Sequence, residues 1–338
     1  HSLQSHMCCW LAERPRSVFG CPPLLLHDSQ VLSLPDIGEQ KMSLRNWILL
    51  LTLGAIWGGS FLFAKVAVAE IPPLMLVFLR VAIACATLHI VLRFTAHRFP
   101  REMRLFGAFL MMGLLNNAIP FSLLFWGQTE ISAGLASILN ATTPIFTFVV
   151  AAVALGQEQV KLHRMLGVAI GFAGVLVMLS PSVSGLSEDP LWAQLACLGA
   201  AFSYALAAAY ARTFKDIPPI VSATGQLTGS SLIMLPVAIW FTGSWSAFET
   251  SGHVWLNVLA LGIGATAFAY LIYFRLLADA GATNASLVTF LVPASAIIFG
   301  YLLLGERLNE VQLAGFAILL VGLVVLDGRL VPSRRIAQ

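Results

Sequence analysis

From residue 42 onward, polar positions interrupt this chain only briefly, and the stretches between them are almost wholly apolar. Each stretch holds about 20 residues, enough for a helix to cross a hydrocarbon core about 30 Å thick. The pattern predicts ten membrane-spanning helices, at roughly 46–68, 74–93, 104–125, 134–155, 164–180, 190–211, 219–242, 254–275, 283–304 and 311–327. The predicted fold class is therefore an all-α polytopic membrane protein.

The pattern also occurs twice. With Pro144 set over Pro293, Ala136 and Ser137 lie over Ala285 and Ser286, and Gly156 lies over Gly305. One residue of slippage later, Glu158 matches Glu306, Gly167 matches Gly315 and Gly174 matches Gly322. Each copy reads as an apolar helix with a proline in its middle, a short elbow, and a glycine-spaced apolar helix. The register extends upstream: Gly113 pairs with Gly262, Phe121 with Tyr270, Pro72-Pro73 with Pro218-Pro219, Trp57 with Tyr204 and Lys65 with Arg212. Two units follow, 42–181 and 190–328, with a basic tail at 329–338. Five spans per unit is an odd number, so the second unit enters the membrane from the opposite side. Inverted repeats are a common construction of secondary transporters, with substrate held near the midplane between the halves.

Composition supports this picture. Hydrophobic residues make up 58% of the chain and charged residues 10%, against roughly 25% charge in soluble domains. The net charge of +3 comes from basic residues in short loops rather than on one face, so no nucleic-acid partner is expected. With strict alternation, one side of the membrane receives Lys41, Arg45, Arg93, Arg98, Arg101, Arg104, Lys161, Arg164, Arg212, Lys215, Arg275, Arg329, Arg334 and Arg335. The other receives Arg307, Lys65 near a helix end, and the acidic Glu70, Glu130, Glu188, Asp189, Glu249, Glu306 and Glu310. The positive-inside rule then predicts that both termini are cytoplasmic, and the expected location is the cell inner membrane.

Residues 1–41 have neither a repeat partner nor the apolar core of a signal peptide, and they are expected to be an upstream artefact or a dispensable extension. Cys8, Cys9 and Cys21 lie there; Cys85 and Cys197 stand singly in apolar helices, where packing is the expected role. No disulfide framework, metal site or cofactor is implied.

The ordered set of motifs resembles a known family. Trp57-Gly58-Gly59-Ser60 with Lys65, then Phe78-Leu79-Arg80 after Pro72-Pro73, is similar to the first two helices of an EamA domain. Ser132-Ala133-Gly134 before Pro144, and Gly305-Glu306-Arg307-Leu308, fit the same pattern; Gln157 before Glu158, and Tyr204 in place of a Trp, depart from it. The resemblance is to two EamA units of the drug/metabolite transporter superfamily. It implies a ten-helix exporter of small metabolites, often amino acids, working by alternating access.

Candidate substrate contacts are the polar and aromatic residues that interrupt the spans. Arg80 lies seven residues into the second span, where an arginine facing lipid would cost about 2.5–3.5 kcal/mol. It reads either as a cation for a substrate carboxylate or as a structural clamp bonded to its surroundings. Its counterpart, Gln226, is neutral. Asn116 and Asn117 precede Pro120 in the third span, and Asn140 precedes Thr142, Thr143 and Pro144 in the fourth. Buried amides need partners, so substrate hydrogen bonding and helix–helix contact are both open for Asn116 and Asn117, whereas packing is the favoured reading at Asn140. Trp57, Phe121, Tyr204, Thr266 and Tyr270 complete the expected lining, whereas Trp47, Trp126, Trp192 and Trp255 fall at helix ends as interfacial anchors. The first four helices of each unit are expected to line a central cavity, with the fifth and tenth outside.

Glu158 and Glu306 raise proton coupling, against which stands the simpler account of helix capping at membrane edges. His89, near the end of the second span, reads as a packed neutral histidine. Intramembrane enzymes need a Ser/His pair, paired aspartates or a zinc-binding His-Glu-x-x-His, and the spans hold none of these. A lipid scramblase or a structural membrane protein is the competing reading. Expected partners are a small-molecule substrate, the lipid bilayer and, as a candidate, a coupling proton, with the chain a monomer or weak dimer.

Overall fold

The computed structural model describes residues 42–100, 102–154, 161–186, 188–243 and 245–328, and all regular structure among them is helical. The elbow at Gly156–Glu158, the leader at 1–41 and the tail at 329–338 lie outside the described residues. Ten helices run in order: α1 (Leu44–Ala67), α2 (Pro73–Arg93), α3 (Met103–Gly127), α4 (Ala133–Ala152), α5 (Leu162–Val183), α6 (Leu191–Phe214), α7 (Pro219–Phe241), α8 (Gly252–Ala282), α9 (Val288–Leu304) and α10 (Glu310–Asp327). Nine are long and apolar enough to cross a membrane; α9, with 17 residues, is the shorter apolar tenth. This is the expected pair of inverted five-helix repeats.

Local chemistry sets the helix ends. The second helix of each unit opens on a proline, Pro73 or Pro219, whose missing N–H would have lacked a partner at that position anyway. Asn309 and Gln312 form a reciprocal capping box at the start of α10. Gly305 and Gly328 end α9 and α10 in left-handed conformation, which L side chains rarely adopt.

Polar contacts between helix ends agree with strict alternation across the membrane. Glu70, between α1 and α2, accepts from Ser251 at the start of α8 (2.7 and 2.8 Å). Gln312 of α10 donates to Asp189, just before α6 (2.7 Å). At the opposite end of the bundle, Arg45 at the start of α1 meets Asp279 at the far end of α8 (3.5 Å). Each contact joins two segments that alternation assigns to one side.

The structure corrects two sequence expectations. α8 continues well past residue 275, because Leu276 to Ala280 are mostly good helix formers and Arg275 pairs with Asp279 one turn on (2.9 Å). Gly281, at φ 78°, then turns the chain, and α9 begins at Val288 rather than 283. The two prolines also behave differently. Pro293 lies within continuous α9, whereas α4 breaks after Asn140 and restarts at Thr143. Pro144 cannot donate to the Asn140 carbonyl four residues back, and the Thr143 hydroxyl donates to that oxygen instead (2.7 Å), with Thr142 serving Leu139 (2.6 Å).

α5 and α10 pack against each other. A Cβ at Gly167 would come within 2.8 Å of the Gly322 carbonyl, and one at Gly174 within 2.6 Å of the Gly315 carbonyl. Glycine spacing thus brings the two backbones into direct contact, as small residues do between membrane helices.

Candidate functional site

The third helix of each unit is wound as a π-helix for part of its length, Leu114–Ala118 in α3 and Ala260–Phe268 in α8. In the register that pairs Gly113 with Gly262, the first falls within the second. π-turns widen a helix and leave carbonyls without their usual partner. Here Leu115 O accepts from Ser203 Oγ of α6 (2.7 Å), and Leu261 O accepts from Thr266 Oγ1 (2.8 Å).

These segments bring the two units together through crossed contacts. Arg80 of α2 donates from Nε to Thr266 Oγ1 of α8 (2.9 Å). Its repeat counterpart, Gln226 of α7, accepts at Oε1 from Asn116 Nδ2 of α3 (2.8 Å). Each second helix therefore meets the π-wound third helix of the other unit. Glycines permit the approach: a Cβ on Gly113 would strike the backbone of α7 at Gln226 and Ser230, and one on Gly262 would strike Ile83 of α2.

The rest of the cluster closes around Arg80. Its guanidinium lies 3.8 Å from the centroid of the Phe121 ring and 5.6 Å from that of Phe125, and the two rings stack at 6.2 Å. Tyr270 donates to Asn117 Oδ1 (3.3 Å) and lies 3.4 Å from Asn116 Nδ2, and both Tyr270 and Tyr204 pack against the core that holds Phe121. Trp57 joins indirectly, its ring 5.6 Å from Tyr273, which packs on Phe274, which packs on Tyr270. Eight of the ten expected residues are thus linked by hydrogen bonds or ring contacts, and Tyr204 packs on the same core. Among the described residues Asn140 makes no side-chain hydrogen bond to this group; its Oδ1 is buried at the α4 break without a hydrogen-bond partner. Asn117 is fully buried, and its Nδ2 also has no partner.

Phe125 was missed as a site residue, although its place one helical turn after Phe121 was the available signal. Ser203 carried no such signal, because its partner carbonyl is freed only by the π-turn in another helix. The chemistry of the cluster is that of a closed donor site. Among the described residues Arg80, 6% exposed, donates a hydrogen bond only from Nε and pairs with no carboxylate.

The remaining candidates have other places. Glu306 accepts from the Ala133 N–H with both carboxylate oxygens (3.0 Å each), so it caps a helix in the other unit rather than its own. His89 bonds Thr228 Oγ1 of α7 (3.0 Å) and packs on Phe99. Trp126 and Trp192 pair at 4.7 Å on the outer surface, both well exposed, as interfacial anchors would.

Comparison with known proteins agrees with the duplication and gives it a family. The sequence matches the EamA-like transporter family twice, over residues 45–180 and 191–326. This chain belongs to the EamA-like transporter family. Among its relatives, the uncharacterized transporter YoaV of Bacillus subtilis is 26% identical over 275 residues, spanning 81% of this chain and 94% of its own. A probable amino-acid metabolite efflux pump of Salmonella typhimurium is 27% identical over 297 residues, spanning 84% and 95%. A solved crystal structure at 18% identity superposes with a TM-score of 0.60 over 83% of this chain and 96% of that one, which shows the shared fold. The EamA chain is thus a multi-pass membrane transporter for a small molecule, in a family of transporters rather than enzymes.

Proposed function

We propose that this EamA protein exports small carboxylate-bearing metabolites, amino acids among them, from the cytoplasm across the cell inner membrane, by alternating access through a site between its inverted units. Both termini face the cytoplasm in this reading. Residues Arg80, Asn116, Asn117, Phe121, Tyr204, Gln226, Thr266 and Tyr270 form the binding region, Trp57 closes it from the side of α1, and Asn140 supplies an acceptor at the α4 break.

The observation that carries the reading is a buried arginine without a counter-ion among the described residues. Removing a cation from water costs several kcal/mol. Against this, a desolvated cation–π contact returns about 2 kcal/mol, and one hydrogen bond to a charged group about 1.5–3 kcal/mol. The guanidinium keeps unused N–H groups, and a substrate carboxylate can take them in a bidentate pair. The neutral Gln226 on the opposite unit makes the site electrostatically one-sided, which favours anionic or zwitterionic cargo. The efflux-pump relatives act on amino-acid metabolites by their names, in line with such cargo.

The contacts of Arg80 also support a second role, as a clamp joining α2 to α8. Purified variants in liposomes separate the two. Arg80→Gln is expected to elute as a folded protein and to lose transport, most severely for carboxylates, whereas Arg80→Lys keeps the charge without the planar fork and retains part of it. A folded Arg80→Gln protein transporting every substrate at the wild-type rate overturns the cavity role; an unfolded one assigns the clamp.

A further inference from the structure

A second feature lies away from this cluster, where α2 ends and the chain turns toward α3. An open cavity of about 920 Å³ is lined there by His89, Arg93, His97 and Arg98, with Leu92 and Phe99 among its apolar walls. None of its lining residues is acidic. Neither arginine has an ion-pair partner among the described residues. The positive-inside rule accounts for basic residues on this side of the membrane, but not for a walled cavity around them.

The walls are held in place. Phe99 packs on His89 (5.1 Å) and on Phe109 (5.9 Å), and the fully buried Phe109 stacks on Phe214 at 5.6 Å. The loop is thereby fastened to both α3 and α6. The Thr95 hydroxyl donates to Leu92 O (2.9 Å) and accepts from the His97 N–H (3.3 Å), which folds the loop back over the helix end. Thr228 of α7 holds His89 from the other side (3.0 Å).

Exposed apolar side chains flank the cavity along the chain, with exposed Glu102 and Arg104 on either side of Met103. Ile90 is 59% exposed, Phe94 87% and Met103 80%. Such a flank belongs in hydrocarbon, so the cationic cup sits at the level where lipid headgroups meet water. A headgroup phosphate within reach of two guanidinium groups, with acyl chains along Ile90 and Phe94, satisfies both features. A soluble phosphate would use the charges alone. We propose that this cup binds the headgroup of an anionic phospholipid, separately from the substrate site.

The test uses the full chain in nanodiscs of equal parts phosphatidylglycerol and phosphatidylcholine, followed by native mass spectrometry to count lipid that stays bound. Wild type is expected to retain phosphatidylglycerol over phosphatidylcholine. R93Q/R98Q should weaken that retention about 30-fold, and R98Q alone, on the exposed loop, about 5-fold. R93K/R98K should retain it, as should R104Q, whose side chain lies outside the cup. Equal retention by wild type and a monodisperse R93Q/R98Q, or by wild type and R98Q, overturns the proposal. Displacement of the lipid by an equal concentration of inorganic phosphate also overturns it, in favour of a soluble phosphate ligand.

Discussion

Gly113 and Gly107 lie on the same helix, and replacing each with alanine should move stability in opposite directions. A Cβ on Gly113 would lie 2.5 Å from the Gln226 carbonyl oxygen, 2.6 Å from Ser230 N and 3.1 Å from Gly229 C. All three are main-chain atoms of α7, so no change of rotamer relieves the contact. Ordinary packing needs about 3.5 Å, which forces α7 back by close to 1 Å. Overpacking of this kind costs about 1–3 kcal/mol, while alanine recovers about 1 kcal/mol of helix propensity. Because the obstacle is rigid, the net effect is expected at about 1–2 kcal/mol of destabilisation. The shift also pulls Gln226 from Asn116, now 2.8 Å apart, so transport should fall with stability. Gly107 is exposed and has nothing within 4 Å of its Cβ position, so Gly107→Ala should stabilise by about 0.5–1 kcal/mol. Thermal unfolding in detergent, read by gel filtration of heated samples, compares the two. If both variants shift the midpoint in the same direction, the backbone-contact reasoning fails.

Three further predictions concern the side away from the basic loops and the orientation of the chain. Glu306→Gln removes the charge at the start of α4 while keeping one acceptor for Ala133, and should lower stability by about 0.5–2 kcal/mol; an unchanged midpoint for both Glu306→Gln and Glu306→Ala would show that the cap is dispensable. The Ser251 N–H and hydroxyl hold the Glu70 carboxyl below its ordinary value of 4.5. A depressed carboxylate contributes stability above its unfolded value and loses it as pH falls through the folded one. Wild type should therefore be more stable than Glu70→Gln at pH 7, and the two should converge as pH falls below the ordinary carboxylate range; a gap that persists in acid contradicts the assignment. A single cysteine replacing Arg98 in a cysteine-free background should label from the cytoplasmic side, and preferential labelling from outside would reverse the proposed orientation.

Much of this architecture can be read from the sequence because a bilayer leaves few choices. Backbone polar groups in hydrocarbon must be satisfied within their own segment, so each apolar run of sufficient length becomes a helix. The duplicated register through Pro144 and Pro293 then yields two five-helix units, and the odd number inverts the second. Depth along a helix is likewise local information, which is why Arg80, Gln226, Asn116 and Asn117 stood out as polar residues too far from either surface. Glycine spacing in α5 and α10 is local information too, whereas their packing on each other was visible only in the fold.

Partners were decided by tertiary structure. Nothing local says that Arg80 meets Thr266 while Gln226 meets Asn116; that crossing arises because each second helix packs on the π-wound helix of the other unit. Spacing rules presuppose an unbroken helix, so they could not foresee the π-turns, or that the prolines would break α4 and leave α9 continuous. Glu306 read as a helix cap, but the helix it caps begins 173 residues earlier in the chain. Two glycines of α3 make the division plain: Gly107 faces open space and Gly113 the backbone of α7. Hydropathy and spacing are properties of the chain near each residue, whereas contact belongs to segments that meet only after folding.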